Sequence, residues 1–77
     1  MDLSSYPEMM RVADVAVVLS ISRTVAYEQV KLFERTRGRH GIPVIRIGRA
    51  MRVPKQALLD WIDSRLGYFE GSADDAA

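Results

Sequence analysis

"RVADVAVVLSISRTVAYEQV", Arg11 to Val30, carries two apolar stripes of helical period with a three-residue break between them. Val12, Val15, Ala16 and Leu19 obey the i, i+3, i+4, i+7 rule of one helix face, which predicts a first helix over Val12–Leu19. Asp14 falls in its first turn, where a negative charge suits the helix dipole. Its valines are poor helix formers, so tertiary packing must hold it. Ser22 is placed to cap a second helix by accepting from the amide of Thr24 or Val25, and Ile21 and Ala26 occupy the positions of a hydrophobic staple. Val25 stands where a capping box would have Glu or Gln. Only Ser20 to Ser22 separate the helices, too few residues for a relaxed coil and suited to the sharp crossing of a helix-turn-helix.

The second helix is expected from Arg23 to about Glu34. Ala26, Val30 and Phe33 share one face, which must be the core side. The opposite side carries Thr24, Glu28, Lys31 and Arg35, with Tyr27 at the flank and Arg23 projecting from the N-terminal end. "RTRGRHG", Arg35 to Gly41, is basic and punctuated by glycine, with nothing apolar to bury, and is expected to be loose without a partner.

Ile42-Pro43 then leads into "VIRIGRAMRV", which reads as a β-hairpin with two competing registers. A two-residue loop at Gly48-Arg49 pairs Ile47 with Ala50 and Ile45 with Arg52, which puts a charge on the apolar face. A three-residue loop, Gly48 to Ala50, pairs Ile47 with Met51 and Ile45 with Val53, keeps all four apolar residues on one face, and is the register predicted. It sets Arg46 across from Arg52 and lifts Arg49 to the tip. Like charges facing each other across a strand pair cost up to about 1 kcal/mol. A phosphate backbone would turn that repulsion into attraction; the alternative is that Arg46 or Arg52 is held by a carboxylate elsewhere in the fold. An arginine at the tip also suits a narrow minor groove, where negative potential is enhanced.

Pro54 fits the first turn of a last helix, because its missing amide would have had no intrahelical partner. Ala57, Leu58, Trp61 and Ile62 give that helix an apolar stripe, and its end is expected near Leu66-Gly67. Residues 1–9 show no period, and Tyr6-Pro7 reads as extended or turn, so a flexible arm is expected there. Residues 67–77, small and acidic after Tyr68-Phe69, are expected to be disordered. The folded domain is thus placed at 10–66.

Composition narrows the function classes. A chain of 77 residues forms one domain at most. Without cysteine it has neither a disulfide framework nor a thiolate metal site. No apolar run is long enough to span a membrane and "MDLSSYPEMM" lacks the parts of a signal peptide, so a soluble, cytoplasmic protein is expected. The net charge of +1 hides an asymmetry: residues 23–55 hold nine basic against two acidic residues, a net +7, and the remainder two basic against eight acidic, a net −6. A cationic middle is the pattern of a domain that meets a polyanion. His40 is the only histidine and has no ligating companion at metal spacing. No phosphate-binding glycine loop or nucleophile elbow is present, so neither an enzyme, a metal site nor a cofactor is expected.

The two segments "RVADVAVVLSISRTVAYEQV" and "IPVIRIGRAMRVPKQALLDWI" together resemble the winged helix-turn-helix of the excisionase and MerR-like group over about residues 10–64. The more specific part is proline, an apolar-basic strand, Ile-Gly-Arg, a basic-apolar strand, proline, and a helix ending in Trp. The fold this implies is mainly α, three helices with a two-stranded wing. The resemblance assigns the major groove to the second helix, here Arg23, Thr24, Tyr27 and Glu28, and the backbone and minor groove to Arg46, Arg49 and Arg52; Ser22 is a further candidate at the helix start, and Lys31 and Arg35, on the same outer side, are expected on phosphates. Two features depart from the group: Ser20 stands where relatives usually have glycine, and the Phe33–Ile42 linker is several residues longer. Stand-alone members of this size resemble phage excisionases, or recombination directionality factors. These bind direct repeats in an attachment site, bend it and contact integrase. The partners implied are double-stranded DNA, integrase and further copies on adjacent sites, in the cytoplasm of a bacterial host and on its nucleoid. The alternatives are a small MerR-like transcriptional regulator and a protein-interaction adaptor using Tyr68-Phe69.

Overall fold

The computed structural model describes the backbone of residues 2–76 and the side chains of residues 2–66. In chain order the elements are β1 (Met9–Met10), α1 (Val12–Leu19), α2 (Arg23–Arg35), β2 (Ile45–Ile47), β3 (Ala50–Pro54) and α3 (Lys55–Ala76). Three helices surround a small antiparallel sheet of order β1-β3-β2, the architecture of a winged helix-turn-helix.

The helix-turn-helix forms as its residues dictate. Asp14 Oδ2 accepts from the Arg11 amide at 3.2 Å, and Ser22 Oγ accepts from the Val25 amide at 3.1 Å, so each helix start has a side-chain acceptor. Ser20 ends α1 in the left-handed conformation, φ 55° and ψ 44°. The Ile21 amide then reaches back to the Ala16 carbonyl at 3.0 Å. This left-handed residue turns the chain sharply enough for Val12, Val15 and Ala16 to pack against Ala26 and Val30, all of them buried. Ile42, Val44, Val53 and Leu58 close the core from the linker, the wing and α3.

Residues 2–9 are not a free arm. Leu3 is 5% exposed and Met10 fully buried, and β1 pairs with β3 through Met9↔Pro54 and Met10↔Val53, so the sheet has three strands. Lys55 secures the segment. Its amide donates to the Glu8 carbonyl at 2.7 Å, and its Nζ donates to the carbonyls of Leu3 and Tyr6 at 3.3 and 3.1 Å. Two residues are too few to display a strand period, which is why the pairing left no pattern in the sequence.

The hairpin takes the other of its two registers. Ile45 pairs with Arg52, Arg46 with Met51 and Ile47 with Ala50, leaving a two-residue loop at Gly48-Arg49. Gly48 has φ 60° and Arg49 is not left-handed, the combination of a type II′ turn with glycine at its first central position. Turn geometry thus outweighs apolar patterning.

The Arg35–Gly41 loop is held rather than loose. Thr36 Oγ1 donates to the Leu32 carbonyl at 2.7 Å and accepts from the His40 amide at 3.0 Å, while the Gly38 amide donates to the Phe33 carbonyl at 2.8 Å. Gly41 has φ +87°, and a Cβ there would lie 2.2 Å from the Gln29 carbonyl oxygen. The next amide, of Ile42, donates to that same carbonyl at 3.2 Å. Helix α3 continues past the expected stop at Leu66-Gly67 to Ala76; an interior glycine costs only about 1 kcal/mol and need not end a helix. The side chains expected in a disordered acidic tail, Tyr68 and Phe69 among them, lie outside the described residues.

Ser20→Gly removes the left-handed penalty of an L-residue at the turn and is expected to stabilise the domain by about 0.5–1 kcal/mol, read as a raised midpoint in urea denaturation. Gly41→Ala combines that penalty with a clash against backbone and is expected to destabilise by about 2–4 kcal/mol in the same measurement.

Candidate nucleic-acid interface

Helix α2 buries Ala26 and Val30 and turns its other side to solvent, so Arg23, Thr24, Tyr27, Glu28, Lys31 and Arg35 are all exposed. Ser22 is exposed at the helix start, with its oxygen engaged by the Val25 amide. The recognition-helix candidates are therefore displayed together, exposed, on and just before one helix.

The wing differs from expectation because of its register. Side chains alternate across a strand, so Arg46 shares the inward face with the buried Val44 and Val53, while Ile45, Ile47 and Arg52 face outward. Arg46 and Arg52 no longer oppose each other. Arg46 instead forks onto Glu34 of α2, with Nε to Oε2 at 2.8 Å and Nη2 to Oε1 at 3.0 Å, and Nη2 also lies 3.3 Å from Met51 Sδ. The hydrogen bonds from Arg46 hold the Glu34 carboxyl below the usual glutamate range, and Glu34 in turn raises the Arg46 guanidinium. One of the three wing arginines is thus paired with a carboxylate of the same chain, at the surface. It fastens the wing beside the C-terminal half of α2; this is the carboxylate tie left open as the alternative for Arg46, and only its partner, Glu34, had no signal in the sequence.

Arg52 Nη1 donates to its neighbouring Met51 carbonyl at 2.8 Å and has no carboxylate partner among the described residues. Arg49, in the loop at the tip, makes no hydrogen bond or ion pair among the described residues. Around it stand Ile45 and Ile47, 45% and 58% exposed. The apolar rule had assigned both isoleucines to the core face; glycine as first residue of a two-residue loop was the signal for the correct register. Lys55, counted in the cationic segment, has a side chain only 17% exposed and faces Glu8 at 3.5 Å on the N-terminal segment. Among the described residues no cluster could hold a metal ion, and no helix is long and apolar enough to cross a membrane.

A helix-turn-helix whose second helix is solvent-facing and flanked by an arginine-tipped hairpin defines a class of DNA-binding protein. Residues 9–66 match the helix-turn-helix domain family, and the chain belongs to it. No curated protein and no solved structure matches the chain significantly.

The Glu34 carboxyl is expected to titrate below the ordinary glutamate range when followed by NMR, and to return to that range in Arg46→Ala. Since its pKa is depressed by folding, the tie contributes above the unfolded pKa of glutamate and is lost as pH falls through the folded value. Loosening of the Arg46 side-chain resonances over that acid window is the accompanying signal.

Proposed function

We propose that the protein is a sequence-specific DNA-binding factor of the phage excisionase type, which binds and bends attachment-site DNA and directs integrase toward excisive recombination. The observation that carries the DNA-binding part is the ion pair between Arg46 and Glu34, which holds the wing alongside the exposed face of α2 so that both can meet one duplex. In this reading Arg23, Thr24, Tyr27 and Glu28 enter the major groove, where Glu28 accepts from a cytosine amino group, and Lys31 and Arg35 hold phosphates. Arg49 reaches into the minor groove from the wing tip and Arg52 holds the adjoining backbone. Arg46 acts from behind, as the tether. The recombination role rests on the resemblance of the two motif blocks to excisionases. One such domain contacts few base pairs, so useful specificity calls for several copies on adjacent sites or for a partner such as integrase. The site of action would be the bacterial nucleoid.

Arg49→Ala is expected to lower affinity for duplex DNA about tenfold and to reduce the slope of log affinity against log salt by about 0.9, with an unchanged melting temperature. Unchanged affinity would remove the wing from the interface. Selection from a randomised duplex pool is expected to return a repeated site, and a shift of a matching integrase reaction toward excision on adding the protein would separate an excisionase from a promoter-bound regulator.

A further inference from the structure

We propose that the basic loop after α2 is a second DNA contact, a phosphate track that leads duplex flanking the recognised site around the C-terminal end of α2 toward Trp61. The proposal rests on the reading of α2 and the wing as a DNA surface, and extends it to residues outside both. Three concavities adjoin one another. The first lies on the outer side of α2 between Glu28 and Arg35 and includes Lys31. It shares Arg35 with a second, lined also by Thr36, Arg37, Arg39 and His40. The second shares Arg39 and His40 with a cleft of about 300 Å³ that is lined by Phe33, Pro43 and Trp61 and edged by Arg65.

Lys31, Arg35, Arg37, Arg39 and Arg65 therefore line one continuous course, and Glu28, at its beginning, is the only carboxylate among the described residues that line it. None of the five forms an ion pair among the described residues. Arg65 sits over the Trp61 ring, 5.2 Å from its centroid, and so keeps its charge available. A groove lined by one sign of charge concentrates the opposite sign in its ligand. Thr36, Gly38 and Gly41 fix the loop backbone, so its arginines are presented from a settled frame and little backbone ordering is left for binding. An acidic peptide could satisfy the same charges. Duplex DNA is favoured because the track begins on the recognition helix itself, through Arg35, and a nucleic-acid backbone is the polyanion already placed there.

The test compares the full chain with Arg37→Gln/Arg39→Gln on a long random-sequence duplex across a salt series. The variant is expected to lose at least about tenfold in affinity and to flatten the salt slope by about 2, since each phosphate contact contributes about 0.9. Arg37 has φ 55°, left-handed, so its replacement could disturb the loop; Arg65→Gln, on α3 and away from it, is expected to flatten the slope by about 1 and keeps the test open should the loop variant not fold. Unchanged slopes in both variants, with Arg49→Ala still reducing affinity, would overturn the track and leave the DNA reading standing. Absence of salt-dependent binding by the wild type would overturn both. Binding of a polyglutamate peptide that is lost in the loop variant while its DNA slope is unchanged would overturn the track as a DNA contact and assign it to an acidic protein partner.

Discussion

The placement of everything on the outer side of α2 depends on the close approach of Gly41 to that helix. A side chain at this position would overlap the Gln29 carbonyl, and the chain passes only because the residue has no Cβ and adopts φ +87°. From there the Ile42 amide bonds to the same carbonyl and Ile42 enters the core fully buried. The strand that follows comes close enough to α2 for Arg46 to fork onto Glu34. The linker thus delivers the wing to the flank of α2 through the contact of Gly41 in its last turn.

That geometry redistributes the charge that dominates the composition. Two of the nine basic residues between 23 and 55 are occupied within the molecule: Arg46 joins the wing to α2, and Lys55 ties the N-terminal segment to the start of α3. Arg23, Lys31, Arg35, Arg37, Arg39, Arg49 and Arg52 form no ion pair among the described residues. Exposed pairs such as Arg46–Glu34 add little to stability, so its value is positional. It converts one cation from a contact into a brace for the other two on the wing.

The wing surface is also less uniformly cationic than its composition suggests. Ile45 and Ile47 stand outward beside Arg49 and Arg52, a mixture of apolar surface and guanidinium. Minor-groove proteins combine the same two elements, apolar side chains that wedge between base steps and cationic ones that meet the potential of the groove.

The sequence by itself determined the helix-turn-helix. Val12, Val15 and Ala16, then Ala26 and Val30, announce their helices by spacing, and Ser22 marks the start of the second, because helix period and capping are local and need only a few neighbouring residues to be expressed. It also indicated which side of α2 faces out. The hairpin register, the third strand and the partner of Arg46 were decided by tertiary structure alone. A strand's register depends on the turn that closes it and on what lies opposite, a two-residue strand has no period, and Glu34 meets Arg46, twelve positions along the chain, only after the segment between them has been folded back at Gly41. Such interactions are fixed by distance in space, to which spacing along the chain gives no key.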